Sequence, residues 1–270
     1  MVWDRNYGNR EDDFWIRHAI EEIDRTYGDR VRPKAKSLFK FGKNLAVGTS
    51  IETIWEQGGD ETYVTTNAID KFSSSSASDT QDIYIEGHTV SGTGTDAQFT
   101  FVSQTVTLQG QTEAALTTPL ARVSRCYVPG ATALVGDVYV YEDDTVSSGV
   151  PQTAANIHMK VNGSAGDNQS FKAATTFSNT DYFIVTGVIF SVGKKTSATV
   201  DFNMEVRSAG GLFLPALQIS LATTGQNSLY LPAKPHFIAP KNCDVRVRAL
   251  ASTTNVEADA LFMGVLCEIT

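Results

Sequence analysis

The residues of this sequence that could do chemistry are mostly acidic. Glu142, Asp143 and Asp144 stand together in the stretch YEDDT. Three carboxylates in one loop could hold Ca²⁺ at the end of a strand, because a hard cation prefers oxygen ligands. Acidic turns are far more frequent than calcium sites, so we favour a solvated turn and leave the metal open.

No other pattern predicts catalysis. The sequence lacks a G-x-S-x-G elbow, a phosphate-binding loop and a CxxC pair, and nothing singles out two carboxylates for glycoside hydrolysis. The weaker acidic groups are at Asp60, Glu61 and Asp181. The histidines stand far apart, at His18, His88, His158 and His236. We therefore expect no enzyme activity, no catalytic residue, no cofactor and no metal ligand.

Two arginines alternate with valines in the stretch CDVRVRALA. Val245 and Val247 would face inward, and Arg246 and Arg248 outward, as in a half-buried antiparallel strand. The arginines could bind carboxylates of a neighbouring subunit. We favour cross-strand partners on a solvated strand face instead.

Composition limits the class of protein. The 270 residues are 41% hydrophobic and 19% charged, which fits one large β-sandwich or two smaller domains. No apolar run is long enough to span a membrane, and the polar N-terminus does not resemble a secretory signal, so we expect synthesis in a cytosol. Three cysteines predict buried free thiols and no disulfide framework: Cys126, Cys243 and Cys267.

The net charge of −8 is unevenly distributed. Residues 1–44 hold ten Lys/Arg and eight Asp/Glu, and the remaining residues hold twelve and twenty-two, so the balances are +2 and −10. An acidic body argues against general nucleic-acid binding. A basic N-terminal segment could still contact an acidic partner surface.

A helix is predicted at about residues 10–27. Asn9 can cap it, acidic residues crowd its first turn, and Gly28 is a natural terminator. Its apolar stripe consists of Trp15, Ile16, Ala19, Ile20, Ile23 and Tyr27. A lone helix of this length is marginal in water. We expect that its own chain cannot bury the stripe and that the stripe lies against a neighbouring molecule.

A basic arm follows the helix. Its positive charges are Arg30, Arg32, Lys34, Lys36, Lys40 and Lys43. Phe39 and Phe41 interrupt them and would anchor an extended segment on another surface. A solvated linker is an equal alternative.

The rest of the chain reads as β-strands separated by turn-rich segments. The long turn DDTVSSGVPQTAAN suggests a boundary near residue 150. We predict an N-terminal helix and arm at 1–44, a first β-rich domain at 45–150, and a jelly-roll-like β-sandwich at 151–270. The fold class is thus mainly β, an antiparallel β-sandwich or jelly-roll body with an N-terminal helix and arm.

Three stretches carry a resemblance to a known family. FGKNLAVGTSIETIWEQGGDETYV, FTFVSQTVTLQGQTEAALTTPLARVSRCYV and FIAPKNCDVRVRAL resemble a group of tailed-bacteriophage virion proteins, of the marine and cyanobacterial type. The resemblance covers about residues 40–270. It implies a structural component of the virion, assembled in the host cytoplasm, with no catalytic residues. The helix and the arm lie outside it.

Two functions are compatible with these observations. The first is an outer accessory protein of the particle, which is a capsid decoration or cement protein or the base of a fibre. We expect it to form a homotrimer and to bind other virion proteins, which are the major capsid protein or tail and portal components. We expect no direct contact with nucleic acid or membrane. The predicted attachment or oligomerisation residues are Trp15, Ile16, Ile20, Ile23, Tyr27, Arg30, Arg32, Lys34, Lys36, Phe39 and Phe41. The alternative is a tail-associated receptor- or glycan-binding protein that uses the loops KFSSSSASDTQD and SAGDNQ.

Overall fold

A computed structural model describes residues 10–193, 197–225 and 227–270, without the side chains of residues 10–13, 33–36 and 234–236. Within these residues there is one α-helix, α1 (Arg10–Tyr27), and short 3₁₀ turns occur at Gly94–Asp96, Ala154–Asn156 and Gly163–Ala165. The strands are β1 (Val31–Val47), β2 (Glu52–Thr53), β3 (Ile69–Ser74), β4 (Asp82–Ser91), β5 (Gln98–Thr107), β6 (Ala114–Leu120), β7 (Arg122–Tyr127), β8 (Val138–Glu142), β9 (Val146–Ser147), β10 (Val150–Pro151), β11 (Ile157–Val161), β12 (Ala174–Phe177), β13 (Asp181–Gly193), β14 (Thr199–Ser208), β15 (Leu214–Ala222), β16 (Ser228–Ala239), β17 (Cys243–Ala251) and β18 (Val256–Ile269).

Eight of the strands form a two-layer antiparallel sandwich. One sheet has the order β1-β18-β13-β16, and the other has the order β12-β17-β14-β15, with β2 added beside β17. Counted along the chain, these eight strands have the orders 1-8-3-6 and 2-7-4-5, which is a jelly roll. The inward-facing side chains of both sheets make one core, with Phe183, Phe190, Phe202 and Phe262 as its largest members. The predicted mainly β fold is confirmed.

A second β domain is inserted between the first and second jelly-roll strands. It contains the sheets β11-β8-β3-β6 and β5-β4-β7 and the ribbon β9-β10, and it has its own apolar core. We call residues 48–173 the inserted domain, and β1 with β12–β18 the sandwich. The inserted domain holds fifteen Asp/Glu and five Lys/Arg, so its balance is −10, and the rest of the chain, with fifteen and seventeen, is at +2.

The domains that the strand pairing defines do not follow the boundaries predicted at residues 44 and 150. β1 begins within the segment predicted as an arm, yet it pairs with β18 along most of its length. β11 lies beyond residue 150, yet it pairs with β8 of the inserted domain. The turn-rich segment near residue 150 therefore lies inside the inserted domain. One of the eight sandwich strands, β1, comes from the N-terminal region predicted as an arm.

The helix prediction of 10–27 is confirmed. The chain leaves the helix at Gly28, whose φ is +68° and whose backbone N–H donates to the carbonyl of Asp24 at 2.9 Å. Asn9, the predicted cap, lies outside the described residues.

Candidate interaction surfaces

The helix packs on the outer face of the sheet β1-β18-β13-β16. Ala19 and Ile23 are buried against Tyr182, Ile184 and Cys267, and further apolar residues of the sheet and helix surround them. Beyond the helix terminus, the Tyr182 hydroxyl donates to the Asp29 carboxylate at 2.5 Å. The expectation that the stripe cannot be buried by its own chain is wrong, because this sheet presents an apolar outer face to it.

The predicted attachment residues lie in different environments. Ile16 and Ile20 pack with the buried part of the stripe, whereas Trp15 is half-buried and Tyr27 is exposed beside Tyr182. Arg30, Arg32, Phe39 and Phe41 are exposed, and the side chains of Lys34 and Lys36 lie outside the described part of the chain. Whether any of them contacts another molecule stays a prediction.

Beyond the helix, the same sheet face is apolar and uncovered within the described part of the chain. One row of paired residues crosses all four strands: Phe41, Leu261, Ile189 and Tyr230. The next row holds Phe39, Met263, Gly187 and Pro232. We define the outer-face patch as Phe39, Phe41, Ile189, Tyr230, Leu261 and Met263. Its aromatic members are 39–62% exposed.

A polar row borders the outer-face patch on the side away from the helix. Lys43 forms an ion pair with Glu257 at 3.6 Å, and Ser191 donates to Asp259 at 3.1 Å. An apolar surface bounded by charged and polar residues is typical of a protein interface. Each large side chain buried there would contribute roughly 1.5–3 kcal/mol.

The outer face of the other sheet is charged, and the inserted domain covers it. Asp244, which is buried, accepts hydrogen bonds from Arg122 of the inserted domain at 2.9 and 3.2 Å, from Arg207 at 3.1 and 2.5 Å, and from Thr176 at 2.7 Å. Burial alone would raise the pKa of Asp244, but the two guanidinium groups lower it below its ordinary value. This carboxylate joins the two domains.

The two arginines of the VRVR stretch belong to the same junction. Arg246 donates to Glu205 at 2.9 Å, and Arg248 donates to Glu205 at 2.6 Å and to Asp60 of the inserted domain at 3.2 Å. The predicted cross-strand partner is confirmed. The predicted solvated face is wrong, because the inserted domain lies on it.

Aromatic rings complete the junction. The Arg246 guanidinium lies 3.7 Å from the ring centre of Phe213, and Arg207 lies 4.3 Å from the same ring and 4.4 Å from Tyr63. Stacking of guanidinium groups on rings reduces the cost of burying them.

Two further lysines are buried near the junction, and one of them crosses it. Lys172 contacts Glu61 and donates to the carbonyls of Val123 and His158, both at 3.0 Å. Lys40 of β1 donates to the carbonyl of Ser124. Burial lowers the pKa of Lys40 to about 7, with a contribution from the nearby charge of Lys172.

An open depression of about 300 Å³ lies on the inserted domain, next to β1. It is lined by Tyr127, Val128, Gly166, Asp167, Asn168, Gln169 and Phe171. The Phe171 ring meets Phe41 edge-on at 5.2 Å between centres, so the depression continues the outer-face patch. The stretch SAGDNQ supplies most of its polar lining.

The other loop expected to bind a host surface is partly buried, and its exposed residues are Ala77, Ser78, Thr80 and Asp82. Within KFSSSSASDTQD, Ser73, Ser74 and Asp79 are buried. The Asp79 carboxylate accepts the backbone N–H groups of Val135 and Gly136 at 2.8 and 2.9 Å. Ser73 and Ser74 are therefore part of the interior of the inserted domain, and binding through the exposed residues of this loop stays a prediction.

One of the acidic residues considered for metal binding, Asp144, has structural partners. Asp144 accepts hydrogen bonds from Thr145 and Thr153, as expected for a turn, and no group of three His, Cys, Asp or Glu among the described residues could hold a metal ion. The three cysteines are free and buried, as predicted.

Burial lowers the pKa of both His88 and His158 to about 4, so each is neutral at pH 7. The described residues contain no helix that is both long and apolar enough to cross a membrane.

The chain is thus a jelly-roll protein with an inserted β domain and an exposed apolar sheet face. No family model and no curated protein sequence matches it. Among solved structures, infectious bursal disease virus Gx strain aligns over 89% of this chain and 71% of its own, at 7% identity and a TM-score of 0.19. The VP2 subviral particle of the same virus aligns over 95% and 82%, at 8% identity and a TM-score of 0.18. This likeness to viral capsid proteins is weak, and it carries no conclusion about this chain.

Proposed function

We propose that this protein is a non-enzymatic structural component of a bacteriophage particle. It would be an outer accessory protein, a capsid decoration or cement protein or the base of a fibre. The resemblance of three sequence stretches to tailed-phage virion proteins supports the class. Jelly-roll proteins have many different functions, so the fold alone does not identify the function of this chain.

The outer-face patch is the observation that carries the proposal. An apolar surface that spans four strands is unfavourable in a chain that acts alone, because its side chains stay in contact with water. Burial against copies of this chain or against capsid, tail or portal proteins would remove that cost. The basic arm thus keeps its proposed role as an attachment, but as strand β1, whose Phe39 and Phe41 form one edge of the patch.

Incorporation of variants into particles tests the proposal. Phe39→Ser removes the most exposed aromatic side chain of the outer-face patch and should reduce incorporation strongly while the chain stays folded. Phe101→Ser is the matched control, because Phe101 is similarly exposed but lies on the inserted domain. Normal incorporation of the Phe39 variant, or equal loss with the Phe101 variant, would contradict attachment through the patch.

A second candidate is a tail-associated protein that binds a host receptor or glycan. The depression favours it, because SAGDNQ brings one carboxylate and two amide side chains next to Tyr127 and Phe171. Host adsorption measured for a Gln169→Arg variant separates the candidates: particles that assemble normally but fail to adsorb would support host binding.

A further inference from the structure

A lysine and a glutamate are buried in contact near the two ends of the inserted domain. Lys172 and Glu61 form an ion pair in which each side chain is 3% exposed. The other lysine–carboxylate pairs between described residues are partly exposed, among them Lys160 with Asp137 at 3.0 Å. Water can solvate the charges of those pairs, whereas the charges of Lys172 and Glu61 depend on the surrounding protein groups.

The ionised form of the buried pair is incompletely satisfied. The Lys172 ammonium donates to the carbonyls of Val123 and His158, both at 3.0 Å, and contacts Glu61 Oε1. The second oxygen of that carboxylate, Oε2, is buried and accepts no hydrogen bond from any described residue. A buried ion pair offsets its desolvation only where such lone pairs are satisfied, so the neutral amine and acid become accessible here. Burial lowers the pKa of Lys172 in the same direction, against the effect of the Glu61 carboxylate.

Both side chains are held in place by the chain around them. The Glu61 backbone N–H donates to Thr53 Oγ1 at 3.0 Å. Lys172 pairs with Trp55 through a β-bridge, and its amine lies 5.4 Å from the centre of the Trp55 ring. Groups that are fixed in contact react far faster than the same groups free in solution, because little orientational entropy remains to be lost.

We propose that Lys172 and Glu61 condense to form an isopeptide bond. A proton passes from the ammonium to the carboxylate, and the neutral amine nitrogen then attacks Cδ of the carboxylic acid. One C–N bond forms and one C–O bond breaks. The hydroxyl group leaves as water with a second proton from the nitrogen, so the step needs no oxidant, reductant or further reactant.

The surroundings of the pair favour this step. A cavity of about 10 Å³ is lined by Glu61, Lys172 and Tyr63. Its volume is about that of one water, so it can receive the water that is released. The Tyr63 hydroxyl is buried with no hydrogen-bond partner among the described residues, and burial raises its pKa, so it stays protonated. It is available to donate to the oxygen that gains negative charge when the nitrogen attacks.

The bond ties the inserted domain together near its base. Glu61 and Lys172 are 111 positions apart, so the link closes a loop that contains most of the inserted domain. Tension between β1 and β12 then passes through the link, and the strands between the two residues are not pulled apart. A cross-link also restricts the unfolded chain, which favours the folded state. This covalent tie goes beyond the proposed function and does not depend on it.

The mass of the purified, denatured full chain tests the inference. The wild-type chain should be lighter than its sequence requires by the mass of one water. Lys172→Arg keeps the positive charge but has no reactive amine, so it should have its full mass. Lys160→Arg is the matched control, because it changes the partly exposed pair, and it should show the same loss of one water as the wild type.

Digestion with trypsin locates the bond. Trypsin cleaves after lysines with a free amine, so the linked chain should give one branched peptide that joins residues 44–71 to residues 161–194. Cleavage after Lys160 should be normal. On a denaturing gel the wild-type chain should migrate faster than Lys172→Arg, because its unfolded form contains a closed loop.

A wild-type chain of full mass that is cleaved normally after Lys172 would overturn the inference and leave a buried ion pair. A loss of one water that maps to other residues, or that Lys172→Arg retains, would overturn it as well. These measurements do not involve particle incorporation, so a failure of the isopeptide bond is distinguishable from a failure of attachment through Phe39.

Discussion

Replacement of Asp244 by Asn should lower the free energy of unfolding by about 3–5 kcal/mol, the usual cost of removing one partner from a buried ion pair. The Asp244 side chain is 1% exposed, and its two oxygens accept five hydrogen bonds from Arg122, Arg207 and Thr176. Asparagine keeps one acceptor oxygen and turns an N–H₂ group toward a guanidinium. Two buried cations would then share a neutral partner.

Urea unfolding at pH 7 measures this loss, as a lower midpoint with an unchanged dependence on denaturant. Asp201→Asn is the matched control, because Asp201 lies on the same outer face of the same sheet, half-buried, and contacts Ser220. It should cost less than about 1 kcal/mol. Equal midpoints for the Asp244 variant and the wild type would refute the conclusion that this carboxylate joins the domains.

Three further changes have definite expected results. Lys40→Met should flatten the pH dependence of stability. In the wild-type chain the pKa of Lys40 is about 7 in the folded state and 10.5 in the unfolded state, so the free energy of unfolding rises with pH between these two values. Urea midpoints measured across this pH range should therefore rise for the wild type and change less for the variant. Ile23→Ala should cost about 2–4 kcal/mol in thermal or urea unfolding, since Ile23 is fully buried. Gly42→Ala should cost about 3 kcal/mol or prevent folding, because its Cβ would lie 2.1 Å from the Ala173 nitrogen, whereas Gly130→Ala, which meets nothing within 4 Å, should be neutral in the same assay.

Regular alternation made much of the sandwich predictable. In TVDFNMEVR, Val200, Phe202 and Met204 face the core as expected, because one face of that strand packs inward and the other carries charge. The helix was equally clear, since its stripe has a period of 3.6 residues and Gly28 ends it.

Strand β1 was missed because its inward-facing positions do not look apolar. Lys40 reaches a carbonyl of the inserted domain, and Gly42 leaves space for the backbone of Ala173. Asn44 donates to Glu52 at 3.1 Å. Tertiary contacts replace the hydrophobic pattern at these three positions, so no local signal could distinguish this strand from a basic arm.

The outer-face patch had a signal in the sequence. The stretches YFIVTGVIF and ADALFMGVLC are apolar at successive positions, as expected for strands that are covered on both faces. The helix covers part of the outer face, and Ile189 and Leu261 lie on the uncovered part. The charged outer face of the other sheet could not be recognised as buried, because its cover is a domain inserted between distant strands.

A reconstruction of assembled particles at side-chain resolution tests the central claim most directly. The account predicts that Phe39 and Phe41 of every copy lie under a neighbouring molecule, with the helix still packed on its own sheet. Particles in which the outer-face patch of this protein faces solvent on all sides would contradict it.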